Sequence, residues 1–195
     1  MMSDQKPIHI IVLVAAALAG CASATPRFYS LTSSAIHNGA PSVQAAVMVE
    51  PVSIPSAVDE PPIAVQVAPN RIEVEEFNRW DAPLGDSIAR AVAGDLSVLL
   101  TTANVTTTPL ANFKPAYVLT INVQRFESVR GETALVDTVW VVSSTVGTSR
   151  SGRTIASEAP QGQGFEALAV AHSRAVARLS EDIAAAIRVE SAART

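Results

Sequence analysis

Residues 117–126, YVLTINVQRF, alternate strictly between apolar and polar side chains. Successive side chains of a β-strand point to opposite faces, so this alternation predicts a strand with one face in the core and one face in solvent. The residues predicted to face the core are Tyr117, Leu119, Ile121 and Val123. The fold must therefore supply other elements that cover one face of a sheet.

Two amphipathic helices are predicted to provide that cover. In residues 80–102, WDAPLGDSIARAVAGDLSVLLTT, Asp81 can cap a helix start and Pro83 suits its first turn. Apolar residues then recur at spacings of three and four, with Asp95 mainly outside the stripe. The stripe consists of Leu84, Ile88, Ala91, Val92, Leu96 and Leu99. A second helix over 165–189 carries the stripe Phe165, Leu168, His172, Val176, Leu179, Ile183, Ala186 and Ile187.

Further strands are predicted on both sides of the first helix. Residues 44–52 form a strand that ends at Pro51, and four prolines between 51 and 62 exclude a central strand or a helix interior, leaving an extended, ordered loop. The segments 63–67 and 71–76 flank a turn and predict a hairpin. Later strands are expected over 134–146 and, as an edge strand, 153–159. This order predicts an α+β fold: an antiparallel sheet with two amphipathic helices packed on one face.

The amino terminus has the pattern of an export signal. Residues 8–19, IHIIVLVAAALA, form an apolar run that is shorter than the roughly 20 residues needed to span a bilayer core. Small residues precede Cys21, as a cleavage site requires. We therefore predict a cleaved signal peptide over residues 1–20.

Leu18-Ala19-Gly20-Cys21 resembles a bacterial lipobox, in which the cysteine receives a diacylglycerol and, after cleavage, an N-acyl chain. Cys21 is the single cysteine, so an intramolecular disulfide is excluded. Several acyl chains on one residue anchor a protein stably where one chain does not. Cys21 is thus predicted as the lipid attachment site, on a tether over 21–27. Ala22 and Ser23 follow it, as in lipoproteins sorted to the outer membrane.

Composition limits the remaining possibilities. The chain after residue 20 suits one domain, predicted over 28–190 with a frayed tail over 191–195. A net charge of -4 and the lack of a basic block argue against nucleic acid as a partner.

No catalytic or metal site can be assembled from the sequence. Gly85-Asp86-Ser87 is similar to a lipase block, but its serine falls inside a predicted helix and lacks a supported histidine base. His172 lies on the stripe of the second helix, which favours a structural role. The residues 147–154 are flanked by glycine but carry arginine where a P-loop has lysine, and a hairpin turn explains them better. We therefore predict a protein without enzymatic activity, cofactor or metal, apart from the covalent lipid on Cys21.

Two stretches are candidate partner contacts. One is the proline-rich loop, with Ile54 and Pro55, and the other is the corner formed by Arg79 and Trp80. Trp80 either packs against the helix start or contacts a partner. The strand residues Glu73 and Glu75 are expected on an exposed face.

Five segments together resemble the ABC-type transport auxiliary lipoproteins, a family that includes paraquat-inducible protein C. They are FYSL (28–31), VMVEPVSIPSAVDEPPIAVQ (47–66), RIEVEEFNRWDAPLGDSIARAVAGDL (71–96), YVLTINVQRFE (117–127) and LSEDIAAAI (179–187). The resemblance implies an accessory subunit of a lipid transport system built on mammalian-cell-entry (MCE) domains. It also implies a site on the periplasmic face of the outer membrane of a Gram-negative bacterium, an MCE-domain protein as partner, and a ring of copies in at least one branch.

Two other hypotheses remain open from the sequence. A lipid carrier would hold an acyl chain in an apolar cavity between the sheet and the helices. An envelope-assembly scaffold would bind another envelope protein instead of a transport component.

Overall fold

The computed structural model describes residues 24–193. Two α-helices are present, α1 (Leu84–Leu100) and α2 (Gly164–Ala192), together with a short 3-10 helix at Ser56–Val58. The strands are β1 (Arg27–Tyr29), β2 (Val47–Val49), β3 (Pro62–Ala68), β4 (Arg71–Trp80), β5 (Val105–Thr106), β6 (Tyr117–Val129), β7 (Thr133–Ser144) and β8 (Ser149–Glu158). The predicted α+β class with two helices is confirmed.

Strand β6 is the centre of the sheet. One edge pairs with β7 in antiparallel register, and β7 pairs with β8, which forms one border of the sheet. The other edge of β6 pairs in parallel with β2 near its start and with β3 near its end. From there β2 leads to β5, and β3 leads through β4 to β1.

The predicted wholly antiparallel sheet must be corrected, because the sheet is mixed. The segment from β2 to β3 runs in the same direction as β6. In the sequence, β4 and α1 lie between this segment and β6. Hairpin signals report only the pairing of consecutive strands, so they identify β3 with β4 and β6 with β7 but not this parallel pairing.

The proline loop, residues 51–62, lies between these two parallel segments. It contacts β6 at Ser53, which donates its backbone N–H to the Ile121 carbonyl (3.1 Å) and accepts from the Val123 N–H (2.8 Å). Proline has no N–H to donate, so the loop cannot continue the ladder and departs from β6 on either side of Ser53.

The core lies between the sheet and the two helices. The predicted inward residues of β6 are buried, and a bulge between Val123 and Arg125 then shifts the buried positions to Phe126 and Ser128. Every predicted stripe residue of α1 is buried, as is every stripe residue of α2 except the partly buried Phe165. The predicted packing of one helix face against the sheet is confirmed.

Asp95 departs from its predicted position outside the stripe, since it is fully buried in α1. Its Oδ1 accepts from the Ser33 hydroxyl (2.8 Å) and from the N–H groups of Ser34 (2.8 Å) and Ala35 (2.9 Å). Its Oδ2 accepts from the Ser180 hydroxyl of α2 (3.0 Å). A buried carboxylate needs such partners, so Asp95 joins the loop after β1 to both helices.

Two boundaries also differ from their predictions. Helix α2 continues to Ala192, so Ser191 and Ala192 are helical and not part of a frayed tail. Strand β8 begins at Ser149 and includes residues predicted as a turn. Its position at the border of the sheet is as predicted.

Replacing Gly152 is expected to destabilise the sheet at β7 and β8. Gly152 pairs with Trp140, and a Cβ at this position would overlap the ring carbons of the indole. The ring is also held by its Nε1–H, which donates to Thr154 (3.0 Å). Gly152→Ala should lower the free energy of unfolding by about 1–3 kcal/mol, as overpacking does. Urea unfolding measures this, with the exposed neighbour change Ser151→Ala as a control that should have little effect.

Candidate functional site

The face of the sheet opposite the helices is not covered by another layer, and we call it the open face. Two arginine–carboxylate pairs organise its centre. Arg153 donates to both oxygens of Asp137 (2.9 and 2.7 Å), and this contact lowers the pKa of Asp137. Arg125 donates in the same bidentate way to Glu127 (2.8 and 2.7 Å). These pairs fix the charged groups and leave the open face near neutral.

A groove of about 650 Å³ lies between the proline loop and the open face. It exists because the prolines keep residues 54–62 off β6, so the floor of the groove is not covered by a paired strand. Apolar side chains form much of its wall, and polar ones form its floor. The lining includes Pro55, Ala57, Val58, Ala64, Gln66, Ile72, Gln124, Arg125 and Glu127. We call it the proline-loop groove.

The β3–β4 hairpin forms one rim of this groove. Val74 pairs with Ala64 and Ile72 pairs with Gln66, the two neighbours of buried Val65, so both apolar side chains lie on the open face. Ile72 is 62% exposed and Val74 is 56% exposed. Such exposed β-branched residues beside a groove are typical of a contact surface.

Glu73 is exposed, as expected, and Glu75 is partly buried. They lie on the helix side, where Arg130 donates to Glu73 (3.2 Å) and Glu75 (2.6 Å). This ion pair satisfies the carboxylates where the helices do not cover β4. The arginines of the later strands and turns pair with different carboxylates: Arg125 with Glu127, Arg130 with Glu75, Arg150 with Glu190 and Arg153 with Asp137.

The sequence-predicted contact residues do not form one surface. Pro55 lines the proline-loop groove, whereas Ile54 is half-buried and packs on the core. Arg79 turns back on its own strand, with its Nε–H donating to the Glu76 carbonyl (2.7 Å). Cys21, the predicted lipid attachment site, lies outside the described residues. The hairpin residues Ile72 and Val74 were missed, although their lack of cover could have been inferred from the length of β4.

Trp80 is a core residue, which corrects its prediction as a partner contact. It is only 5% exposed. Its indole meets the ring of Phe126 edge-on (centroids 5.9 Å apart) and the ring of His172 edge-on (6.0 Å). The staple-like alternative, in which Trp80 packs inward near the helix start, is the one that the structure supports.

The change Trp80→Ala is therefore expected to act on stability. Removing a buried aromatic ring should lower the free energy of unfolding by about 3–5 kcal/mol. Arg79→Ala, at the adjacent half-exposed position, should cost well under about 1 kcal/mol. Thermal and urea unfolding of both variants measure the difference. An unchanged midpoint for Trp80→Ala would contradict the core assignment.

His172 is likewise part of the core. The ring is fully buried, stacks on Phe126 (centroids 4.0 Å apart) and bonds through Nε2 to the Ser128 hydroxyl (2.9 Å). No described residue hydrogen-bonds its Nδ1, so no carboxylate supports it as a base. Burial lowers the pKa of His172 to about 3, which keeps the ring neutral in the folded protein.

Other chemical candidates are also structural in the part of the chain that is described. Ser87 of the lipase-like block is buried inside α1 and accepts from Arg90 (3.1 Å). Residues 145–148 join β7 to β8, as a hairpin turn does. Within residues 24–193, no three His, Cys, Asp or Glu side chains converge as a metal site would require.

The buried His172 predicts that stability falls in mild acid. Above pH 6.5 the histidine is neutral in both states and contributes nothing. Below that pH the histidine binds a proton in the unfolded chain, whereas in the folded chain it binds one only near pH 3. The free energy of unfolding should then fall by about 1.4 kcal/mol per pH unit from this group.

The matched measurement compares the pH dependence of urea unfolding for the parent protein and for His172→Gln. The variant is expected to be less stable at neutral pH but to lose this part of the acid slope. Identical slopes in both proteins would show that His172 is protonated in the fold.

Neither helix in residues 24–193 has the combination of length and apolarity that crossing a bilayer requires.

Comparison with known proteins places this geometry in context. A family model described as "ABC-type transport auxiliary lipoprotein component" matches residues 29–184. No curated protein matches the sequence significantly.

Solved structures share the fold. A Xanthomonas campestris protein of family DUF330 has a TM-score of 0.71 at 21% identity, over 87% of this chain and 100% of that one. The crystal structure of an uncharacterized protein gives 0.70 at 18% identity, over 84% of this chain and 99% of that one. A PelC dodecamer from Paraburkholderia phytofirmans reaches 0.44 at 14% identity, over 77% and 91%, a likeness too low to bear on how this chain assembles.

Proposed function

This chain belongs to the family of ABC-type transport auxiliary lipoprotein components, and on that premise we propose that it is a non-enzymatic docking subunit of an intermembrane lipid transport system. Its partner in this proposal is a periplasmic MCE-domain transport protein. The lipoprotein holds that partner at the periplasmic face of the outer membrane. A ring of copies, which the family resemblance implies, stays a prediction.

The anchor in this proposal is Cys21, carrying a diacylglycerol and an N-acyl chain. Support comes from the order Leu18-Ala19-Gly20-Cys21, from the single cysteine of the chain, and from Ala22 and Ser23 after it. Acyl chains on one residue give stable membrane attachment without a spanning helix. The folded domain would then be held close to the membrane by its amino terminus.

The docking surface in this proposal is the proline-loop groove, and this groove is the observation that carries the proposal. It combines an apolar wall and rim with a polar floor whose charges are already paired. Apolar contact gives affinity, whereas paired charges cost little to cover. A rigid proline loop also loses little conformational entropy on binding. These features suit a protein segment laid against Pro55, Ala57 and Ile72.

The carrier hypothesis is less well supported. The space between sheet and helices, where a carrier would hold an acyl chain, is filled by fully buried side chains such as Ile121, Leu179 and Ile183. A lipid chain could enter only by displacing them, at the cost that close-packed cores impose. We therefore place partner recognition on the surface of the domain.

Photo-crosslinking in intact cells tests the docking role. A photoreactive phenylalanine analogue at Ala57, an exposed groove residue, should capture an MCE-domain protein that mass spectrometry identifies. The same analogue at Val146, which is 69% exposed in the β7–β8 turn, should not. Capture limited to envelope-assembly or scaffold proteins would contradict the transport role. Equal capture from both positions would contradict the groove as the docking surface.

A further inference from the structure

A second exposed apolar surface lies where the described chain begins. Strand β1 is three residues long and, among the described strands, pairs with β4 alone, so it forms one border of the sheet. Its residue Phe28 is 64% exposed, Phe77 of β4 is 49% exposed, and Val170 of α2 is 51% exposed. We call these three residues the anchor-side patch.

The three side chains follow one another along this border. Phe77 lines a shallow depression with Ala24, Thr25 and Arg27. Phe28, the next residue after Arg27, lines a neighbouring depression with Val170. Arg27 is exposed and forms no ion pair with any described residue. Three exposed apolar side chains thus lie near a cation that pairs with no described residue.

The length of the chain connects this patch to the predicted lipid anchor. Ala24 lies beside Phe77, and three residue-to-residue steps, through Ser23 and Ala22, connect it to Cys21. A chain spans at most about 3.6 Å per residue, so the Cys21 backbone lies within about 11 Å of Ala24. A cysteine held by its acyl chains therefore keeps Ala24, and Phe77 beside it, close to the surface of the bilayer.

We propose that the anchor-side patch lies on the lipid surface and orients the domain there, an inference that rests on the lipid anchor of the proposed function. Phe28, Phe77 and Val170 enter the interfacial region, where aromatic and aliphatic side chains of peripheral proteins are favoured. Arg27 meets headgroup phosphate. The contact is shallow, because the border of β1 carries backbone groups that hydrocarbon cannot satisfy. The acyl chains supply the attachment, and the patch fixes which side of the domain faces the membrane.

Tryptophan placed in the patch tests this orientation. The native Trp80 and Trp140 are only 5% and 6% exposed, so an added surface tryptophan gives a separable signal. The full lipidated protein, purified from membranes, is reconstituted into vesicles of phosphatidylethanolamine and phosphatidylglycerol with brominated acyl chains. The variants are Phe28→Trp and Phe77→Trp. The matched control is Ile155→Trp, which is 60% exposed on β8 at the opposite border of the sheet.

The expected result is a blue shift and bromine quenching of the added emission at positions 28 and 77, with neither effect at position 155. A blue shift with quenching at either patch position alone supports the proposal. Thermal unfolding confirms that each variant is folded. Protein that floats with the vesicles while both patch tryptophans stay unquenched overturns the proposal and leaves the anchor intact. Protein that fails to float overturns the anchor and the proposal together, whereas the crosslinks at Ala57 test partner docking separately.

A third outcome concerns a protein occupant. A blue shift at positions 28 and 77 that grows with protein concentration in detergent, without added vesicles, would assign the patch to a second copy of the chain. That result also overturns the proposal.

Discussion

The backbone hydrogen bonds of β6 are the constraint on which the rest of the domain depends. One edge of this strand is occupied by β7 along its length, and the other is shared by β2, Ser53 and β3. Every remaining strand reaches β6 through these neighbours. The chain from β2 to β3, which includes the proline loop, is therefore fixed at three points along a central strand. Its rigidity comes from this pairing. The groove beside it exists because the residues between these points cannot pair with β6.

Local patterns predicted much of this fold. Strict alternation identified the two faces of β6, and spacings of three and four residues identified the buried stripes of both helices. The parallel pairing of β6 with β2 and β3 could not be predicted, because it joins segments separated by β4 and α1. The buried Asp95 could not be predicted either, since its partners Ser33 and Ser180 are distant in sequence and a carboxylate ordinarily indicates solvent. The resemblance to the transport auxiliary lipoproteins is confirmed over residues 29–184.

The candidate site was harder to predict than the fold. Prolines identified the loop, but not which of its residues face outward: Pro55 lines the groove while Ile54 packs inward. Alternation over 71–76 separated the two faces of β4 but did not identify which face the helices cover. The register of β4 against β3 then shifts between Pro62 and Ile63. Trp80 is buried on one side of that irregularity, whereas Val74 is exposed on the other. Alternate residues of β4 therefore face opposite sides of the sheet in its two halves, so alternation in one half does not predict the faces of the other.

The Asp95 carboxylate would have a mechanical consequence if the protein is tethered at its amino terminus, as proposed above. A force on the tether would act first on β1, which pairs with β4 at three residues. The load then passes to Ser30, which donates to Asp81 (2.6 Å), and to Ser33, Ser34 and Ala35, which Asp95 holds inside the helix layer. Breaking that hold would strand a buried charge, which costs several kcal/mol. The short edge strand can thus give way while the Asp95 hydrogen bonds keep the loop after β1 attached to the helices.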